Sequence, residues 1–507
     1  MAKLYAWFKP LKEAKLRFIH YVLLLYIFFI PLWPKIPFKD VEYTYINIRY
    51  EDLFVAFTLF LFLIELLRKK LKLTNTFLKL FVAYWVVVFV SFLIGHYVLD
   101  TVPVFNIGLL HSLRRVEYMA PFFLFFAAVE NPKQWALLVK SSMWALLMVC
   151  IYAMGQKFIG WPAYLTMNPV FSTGMPLNLT EESRIASTFG GHYDLAAFLV
   201  LLIPVTLGFV MAGKRRYFWL FLFALLVLAY TASRTSSIAY IVSTMAFLIY
   251  KRQWKLGVIV LVISVLMMTF TKDLTNRFMK TFSVRQILVN NKTGEQYISQ
   301  TTTTKDELPG GSVYVPLTGK GSEVSEADKN KLKNELKLKK QYEQLMATRG
   351  GKLAAGGQAT GTGAMKPEDY QAVSGVVYDI SSATRLQVEW PRAINAFKRN
   401  PITGTGPSSI TEATDNDVLR ALGETGFLGF IGLFGTVLYL QWILFQTARK
   451  HKGLISAVFG GVVFGAGGLM INALYIDVFE ASKIAFFVWA FWAIFYKATT
   501  FTEDLKL

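Results

Sequence analysis

The sequence predicts an all-α polytopic membrane protein. About twelve transmembrane helices are expected, with one large extracytoplasmic loop between spans 9 and 10 and both termini cytoplasmic. Three observations lead there. The 507 residues are 54% hydrophobic and 16% aromatic, with a mean hydropathy of +0.42, more apolar surface than a soluble chain of this length needs. The apolar residues gather into stretches close to the length a bilayer demands. The Lys and Arg behind the net charge of +20 fall in short runs between those stretches, as in cytoplasmic loops, so the charge does not call for nucleic acid.

The N-terminal segment is basic (Lys3, Lys9, Lys12, Lys15, Arg17) and leads into Ile19–Pro31. No convincing small-residue cleavage site follows, so it reads as a retained first span. Apolar stretches lie near 18–34, 52–67, 77–98, 110–128, 134–154, 192–212, 216–232, 235–250, 254–271, 427–447, 453–475 and 480–497. The fourth is the weakest, because Arg114, Arg115 and Glu117 sit at its start. Cys150 lies in the fifth as a small core or lipid-facing residue, and a single cysteine leaves no internal disulfide. The runs Arg68-Lys69-Lys70, Lys214-Arg215-Arg216, Lys251-Arg252 with Lys255, and Arg449-Lys450 with Lys452 share one side if the N-terminus is cytoplasmic. The alternate loops, such as Ile476–Ser482, are poor in Lys and Arg. Three regions result: an N-terminal membrane bundle of about nine spans over 1–271, an extracytoplasmic loop over 272–414, and a C-terminal bundle of about three spans over 415–507.

The loop has its own pattern. ILVNNKTGEQYIS reads as a hairpin turning near Lys292-Thr293-Gly294. Ser325–Arg349 reads as a helix, with Ser325 and Asp328 at its start and Leu332, Leu336, Tyr342 and Leu345 on one face. A Gly/Ala-rich stretch follows, and helical pattern returns from Ile380 to Asn400.

Four groups of polar residues need a reason. Arg234, in LAYTASRTSSIAY, has almost no loop around it, and a central intramembrane arginine costs about 2.5–3.5 kcal/mol on insertion scales. It is either a snorkelling interfacial residue or a fixed cation facing a cavity. Arg184 precedes Gly190-Gly191, with His192 and Asp194 opening the next span, Asp194 as a candidate N-cap. In SATRLQVEWPRAINAFKRNPITGTGPSS, Arg385, Glu389 and Arg392 share a helical face, Trp390 suits a membrane surface, and Gly404 and Gly406 permit a turn back to the bilayer. Finally, Asp415-Asn416-Asp417 stands at the start of a span that also carries Arg420 and Glu424. Thr414 or Asp415 could cap that helix. The sharper reading sets an outward-facing carboxylate beside Arg234, Arg184 and Arg385 as an anion site with a base at its edge. Asp-x-Asp also suits a hard divalent cation, and Asp40 with Glu42 offers the same.

The segments SRTSS, RIASTFGGHYDLAAFLVLLIP, TRLQVEWPRAINAFKRNPITGTGPSS and DNDVLRALGETGFLGF resemble motifs of the bacterial O-antigen ligase/polymerase family, over roughly Arg184 to Gly429. The resemblance implies transfer of an undecaprenyl-diphosphate-linked glycan, to lipid A core by ligases or onto another lipid-linked repeat by polymerases. It implies that Arg234 matches the arginine of the Ser-Arg motif and Arg385 the arginine ahead of the loop tryptophan. Ligases of the family carry a histidine where this sequence has Asp415. The expected assignment is Arg234, Arg385, Arg184 and Arg392 on the diphosphate, Asp415 as base, Asn416 orienting and Asp417 as alternative base, with no metal or cofactor. Expected partners are the lipid-linked donor, a glycan acceptor, membrane lipid and a chain-length regulator, in a bacterial cytoplasmic membrane. A transporter would show matching broken repeats, and none is visible. A metal-dependent transferase and a structural scaffold are the other readings weighed.

Overall fold

A computed structural model describes residues 14–41, 47–71, 75–166, 172–180, 183–271, 274, 282–290, 296–297, 314–316, 370–378, 385–410, 414–501 and 505. The chain divides into two compact units, residues 1–277 with 389–507, and residues 278–388.

The first unit is a helical bundle. Its helices are α1 (Phe18–Leu32), α2 (Tyr50–Leu67), α3 (Asn75–Tyr97), α4 (Phe105–Met119), α5 (Pro121–Ala128), α6 (Pro132–Phe158), α7 (His192–Met211), α8 (Arg216–Tyr230), α9 (Arg234–Tyr250), α10 (Trp254–Phe270), α11 (Trp390–Arg399), α12 (Asp417–Phe430), α13 (Thr436–Lys450), α14 (Gly453–Asn472) and α15 (Ser482–Ala498). A π-helical turn, Ile431–Gly435, joins α12 to α13. Among the described residues five helical stretches are long and apolar enough to cross a membrane: Thr76–Tyr97, Pro132–Phe158, His192–Met211, Asp417–Lys450 and Gly453–Asn472. Phe18–Leu32, Arg216–Tyr230 and Trp254–Thr269 are shorter apolar helices.

The bundle has two chemically different ends. At one, Arg17 pairs with Glu130 at 2.5 Å and Lys251 donates to Ser456 Oγ at 2.7 Å. The basic turns at Arg68–Lys70, Lys214–Arg216 and Arg449–Lys452 belong to this end. At the other, Lys483, at the start of α15, donates to the carbonyls of Trp33 and Thr188, tying the α1–α2 and α6–α7 connections together.

The expected span near 110–128 is two helices, broken between Ala120 and Pro121. Its first half turns polar residues inward: His111, Arg114 and Arg115 are buried while Leu113 is 49% exposed. That inversion marks a helix lining a polar interior. At the start of α7 the N-cap is Gly191, and Asp194 sits in the first turn instead of capping it. The helix expected over 385–400 opens as a π-helical turn, Arg385–Glu389, before α11, which alters the register between Arg385 and Arg392.

The second unit holds a four-stranded sheet in the order β4-β3-β6-β5. Its strands are β3 (Phe282–Asn290), β4 (Gln296–Tyr297), β5 (Tyr314–Pro316) and β6 (Tyr370–Tyr378), and a two-stranded pair, β1 (Pro37–Lys39) with β2 (Ile48–Arg49), lies in the first unit. The hairpin read from ILVNNKTGEQYIS is the β3–β4 pair, with Leu288 opposite Tyr297. β6, rich in Val and Tyr, pairs with β3 along its whole length. The described residues are mostly helical, in keeping with the all-α expectation, with these short strands as the additions. The helix expected at Ser325–Arg349 and the Gly/Ala-rich stretch after it lie outside the described residues.

Helices α7 and α14 approach closely through glycines. A Cβ on Gly461 would stand 2.6 Å from the Pro204 carbonyl oxygen, and one on Gly465 would collide with that of Leu201. Gly467, two residues on, faces open space. Gly465→Val is expected to destabilise the bundle by at least about 1–3 kcal/mol, and Gly467→Val to leave it unchanged. Thermal unfolding read by thiol-reactive fluorescence at the buried Cys150 checks this, since that thiol reacts only once the bundle opens.

Candidate functional site

The end of the bundle away from the basic turns encloses a cavity of about 330 Å³. The α1–α2 connection contributes Lys35 and Arg49, and α4 contributes His111, Arg114 and Tyr118. Gly190, Gly191, Tyr193 and Asp194 line it from the turn into α7. Asp415 and Arg420 come from the start of α12, and Asp477 and Glu480 from the α14–α15 turn. All of these residues belong to the first unit.

Four cations therefore face one space. Arg49 is 5% exposed, and its Nε has no hydrogen-bond partner among the described residues. Among the described residues Lys35 is held only by a long pair with Asp194, 3.8 Å. Burial pushes the Lys35 ammonium below its ordinary value and the neighbouring Arg49 pushes the same way, against the pull of Asp194. Arg114 donates to the Asn47 carbonyl at 3.0 Å and stands 3.8 Å from Asp52.

The carboxylates divide by task. Asp477 accepts from the backbone N–H groups of Thr414, Asp415 and Asn416 at 3.1, 3.2 and 3.3 Å, and from Arg420 Nη2 at 2.9 Å. Glu480 accepts from Arg115 Nε at 2.8 Å. Burial works to raise the Glu480 carboxyl, but Arg115 and then Arg420 outweigh it and hold it below the ordinary range. Glu424 pairs with Arg115 and lies 3.6 Å from Arg420. Asp415 is half-buried, lines the cavity, and sits at φ +49°, a left-handed conformation that the three amide bonds to Asp477 hold in place.

Glu424 is placed by a break in α12. Gly426 has φ +63° inside the helix, so the carbonyls before it lose their intrahelical partners. The chain at 401–406 supplies replacements: Thr405 N–H donates to Gly423 O and Gly406 N–H to Glu424 O, both at 2.9 Å, while Phe427 N–H donates to Pro401 O at 2.8 Å. Gly404, at φ +71°, passes so close to Glu424 and Thr425 that a side chain has no room. The Gly-x-Gly at Gly404 and Gly406 is thus a backbone splice into a broken helix, a device a membrane tolerates only where protein buries it.

The residues singled out in the sequence are distributed unevenly. Asp415 lines the cavity. Asn416 is the N-cap of α12: its side chain accepts from Leu419 N–H at 2.9 Å and donates to Leu474 O at 2.8 Å. The cap is therefore neither Thr414 nor Asp415. The Asp417 carboxylate is buried and accepts from the N–H groups of Val478 at 2.6 Å and Phe479 at 3.2 Å, which anchors the α14–α15 turn. Arg184 donates to His192 and lies 6.0 Å over the ring of Tyr193, a cavity wall. Ile185 N–H meets the Tyr230 carbonyl, which puts Arg184 at the same end of the bundle as Arg234, the first residue of α9. Arg234 and Arg392 are not among the lining residues, Arg392 being exposed on α11, and Arg385 belongs to the second unit. Glu42 lies outside the described residues, and among those described no group of three or more His, Cys, Asp or Glu is arranged to hold a metal ion.

Sequence reasoning missed Lys35, Arg49, Asp477 and Glu480, and took Arg114 and Arg115 as flaws in a span. One signal was available: Lys35, Arg49 and the Arg114-Arg115 pair lie on the side where Lys and Arg are otherwise scarce.

Comparison with known proteins bears on this geometry. Residues 219–434 match the family model described as O-antigen ligase. No curated protein matches the chain. The matched segment runs from α8 to the π-helical turn after α12 and includes the cavity residues Glu389, Asp415 and Arg420, while Lys35, Arg49, Arg114, Asp477 and Glu480 lie outside it. The O-antigen ligase domain at residues 219–434, together with helices long and apolar enough to cross a membrane, supports a membrane protein of the O-antigen ligase/polymerase family.

Proposed function

We infer that the chain is a membrane glycosyltransferase that moves an undecaprenyl-diphosphate-linked glycan onto a saccharide acceptor at the outer face of a bacterial cytoplasmic membrane, extending a surface polysaccharide repeat by repeat. The observation that carries this reading is the buried Arg49 guanidinium, lining the cavity with an unsatisfied Nε beside Lys35 and Arg114. A buried guanidinium with spare donors is matched by a dianionic group that accepts charge-assisted hydrogen bonds, as a diphosphate does. The cavity opens at the end opposite the basic turns, the end expected to be extracytoplasmic.

In the proposed step an acceptor hydroxyl oxygen attacks the anomeric carbon. The bond from that carbon to the diphosphate oxygen breaks, and its electron pair stays on the lipid diphosphate. Arg49, Lys35 and Arg114 stabilise that charge. The hydroxyl proton passes to Asp415. Asp415 lines the cavity and its backbone N–H is held by Asp477, which supports it as the base. Asp417 and Asn416 act as positioning residues, holding the α14–α15 turn and the start of α12. Arg184 and Arg234, at the same end of the bundle, serve the donor as well, and Arg385 and Arg392 are further cations for its diphosphate. A carboxylate at Asp415, where the family's ligases carry histidine, favours polymerisation over ligation.

Three outcomes are expected from purified protein given lipid-linked repeat units. Asp415→Asn lowers kcat by about a hundred-fold or more with little change in KM, the scale of a lost general base. Arg49→Ala raises KM roughly ten- to a hundred-fold, the scale of a lost charge-assisted hydrogen bond. Both are read as a glycan ladder on a gel, and a transporter would leave that ladder absent in the wild type. The third concerns pH. Lys35 is depressed in the free protein, and a bound anion favours its charged form. Donor affinity should therefore be full at low pH and fall as pH rises through the depressed Lys35 value, beginning below the ordinary lysine value of 10.5. Lys35→Arg should abolish that fall, as measured by binding isotherms across pH.

A further inference from the structure

The opposite end of the bundle carries a second cavity that the sugar-transfer reading does not use. It occupies about 230 Å³ between α6 and α8 and is lined by Lys140, Met143, Trp144, Leu147, Arg216, Tyr217 and Leu220. The charged groups acting on Lys140 are Arg216 and Lys214, and both repel it. No hydrogen bond or ion pair joins Lys140, Lys214 or Arg216 to an acidic side chain among the described residues; Arg216 only stacks over the Tyr217 ring at 5.2 Å. Cations brought together without a counter-ion are complementary to an anion from outside the protein.

The apolar half of the cavity says which kind. Both helices run from the basic end toward the middle of the bundle. On α6 the order is Lys140, Trp144, Leu147, at i, i+4 and i+7 on one face, and on α8 it is Arg216 then Leu220, at i and i+4. Each ladder therefore passes from cation to apolar side chain with depth, the polarity of a phospholipid from head to tail. Trp144 is 47% exposed, open toward the lipid side. A soluble phosphate has no use for that lower half.

We propose that this cleft is a binding site for an anionic phospholipid, its phosphate held by Lys140 and Arg216 with Lys214 beside them and one acyl chain laid against Trp144, Leu147 and Leu220. The site lies at the end expected to face the cytoplasm, where anionic headgroups and basic inter-helical pockets meet. It is independent of the donor cavity.

The test is native mass spectrometry of the full-length protein in detergent, titrated with dioleoyl phosphatidylglycerol and, separately, with dioleoyl phosphatidylcholine. The wild type should bind the first phosphatidylglycerol preferentially. Lys140→Gln with Arg216→Gln should weaken that event roughly ten- to thirty-fold, the scale of two cations at a lipid surface. Leu147→Trp, which fills the lower cleft and leaves the charges, should weaken it as well. Lys450→Gln with Lys452→Gln, at the same end but not among the residues lining the cleft, should not. Equal binding of the two lipids, or equal loss with the Lys450 and Lys452 pair, overturns the proposal. So does displacement of phosphatidylglycerol by millimolar glycerol phosphate, which would make the cleft a plain anion site.

Discussion

The site is organised around one buried ionic lattice. Arg115 of α4 meets Glu424 and Glu480, and Arg420 of α12 meets Glu424 and Asp477. Arg115, Arg420 and Glu424 are each no more than 6% exposed. Charges buried this deeply are tolerated only as a set, because removing one member leaves the others uncompensated at a cost of about 3–5 kcal/mol. The lattice therefore fixes three separate pieces of chain against one another: α4, the broken helix α12, and the α14–α15 turn. Asp477 extends it to the backbone, since the carboxylate that pairs with Arg420 also accepts the three amides around Asp415. The proposed base thus inherits its position from charges it does not itself carry.

Beside this balanced lattice stands an unbalanced group. Lys35, Arg49 and Arg114 are buried at the cavity wall with long or incomplete partnerships. Burying a guanidinium without filling its donors costs stability, and natural chains accept such costs where a ligand recovers them. The lattice balances its cations with carboxylates and the wall beside it does not, and that contrast in charge is the physical basis for proposing substrate contact at the second and scaffolding at the first. Lys140 and Arg216, which meet no acidic side chain among the described residues, repeat that contrast at the other end of the bundle.

Much of the architecture was visible in composition. Apolar stretches of bilayer length and the one-sided basic runs foretold the helices and the two unlike ends, because hydrophobic burial and charge placement act locally along the chain. The carboxylates and Arg420 at the doorstep of α12 were conspicuous for the same reason. The small sheet was half visible: a turn flanked by β-branched residues marked β3 and β4, but β6 is recruited by a strand some eighty residues away. Arg114 and Arg115 were read as defects in a span because a helix seen alone gives no sign that its inward face meets polar groups.

What the sequence determined by itself is the class of molecule and its motif content: apolar helices, a long polar loop, and a set of charged residues too costly to lie in lipid. The tertiary structure decided which of those charges meet. Arg49 and Asp415 line one cavity from positions more than three hundred and sixty residues apart, and the Asp417 carboxylate accepts from the amides of Val478 and Phe479, some sixty residues further along the chain. Electrostatic partnership depends on distance in space and on desolvation, and neither is written in spacing along a chain.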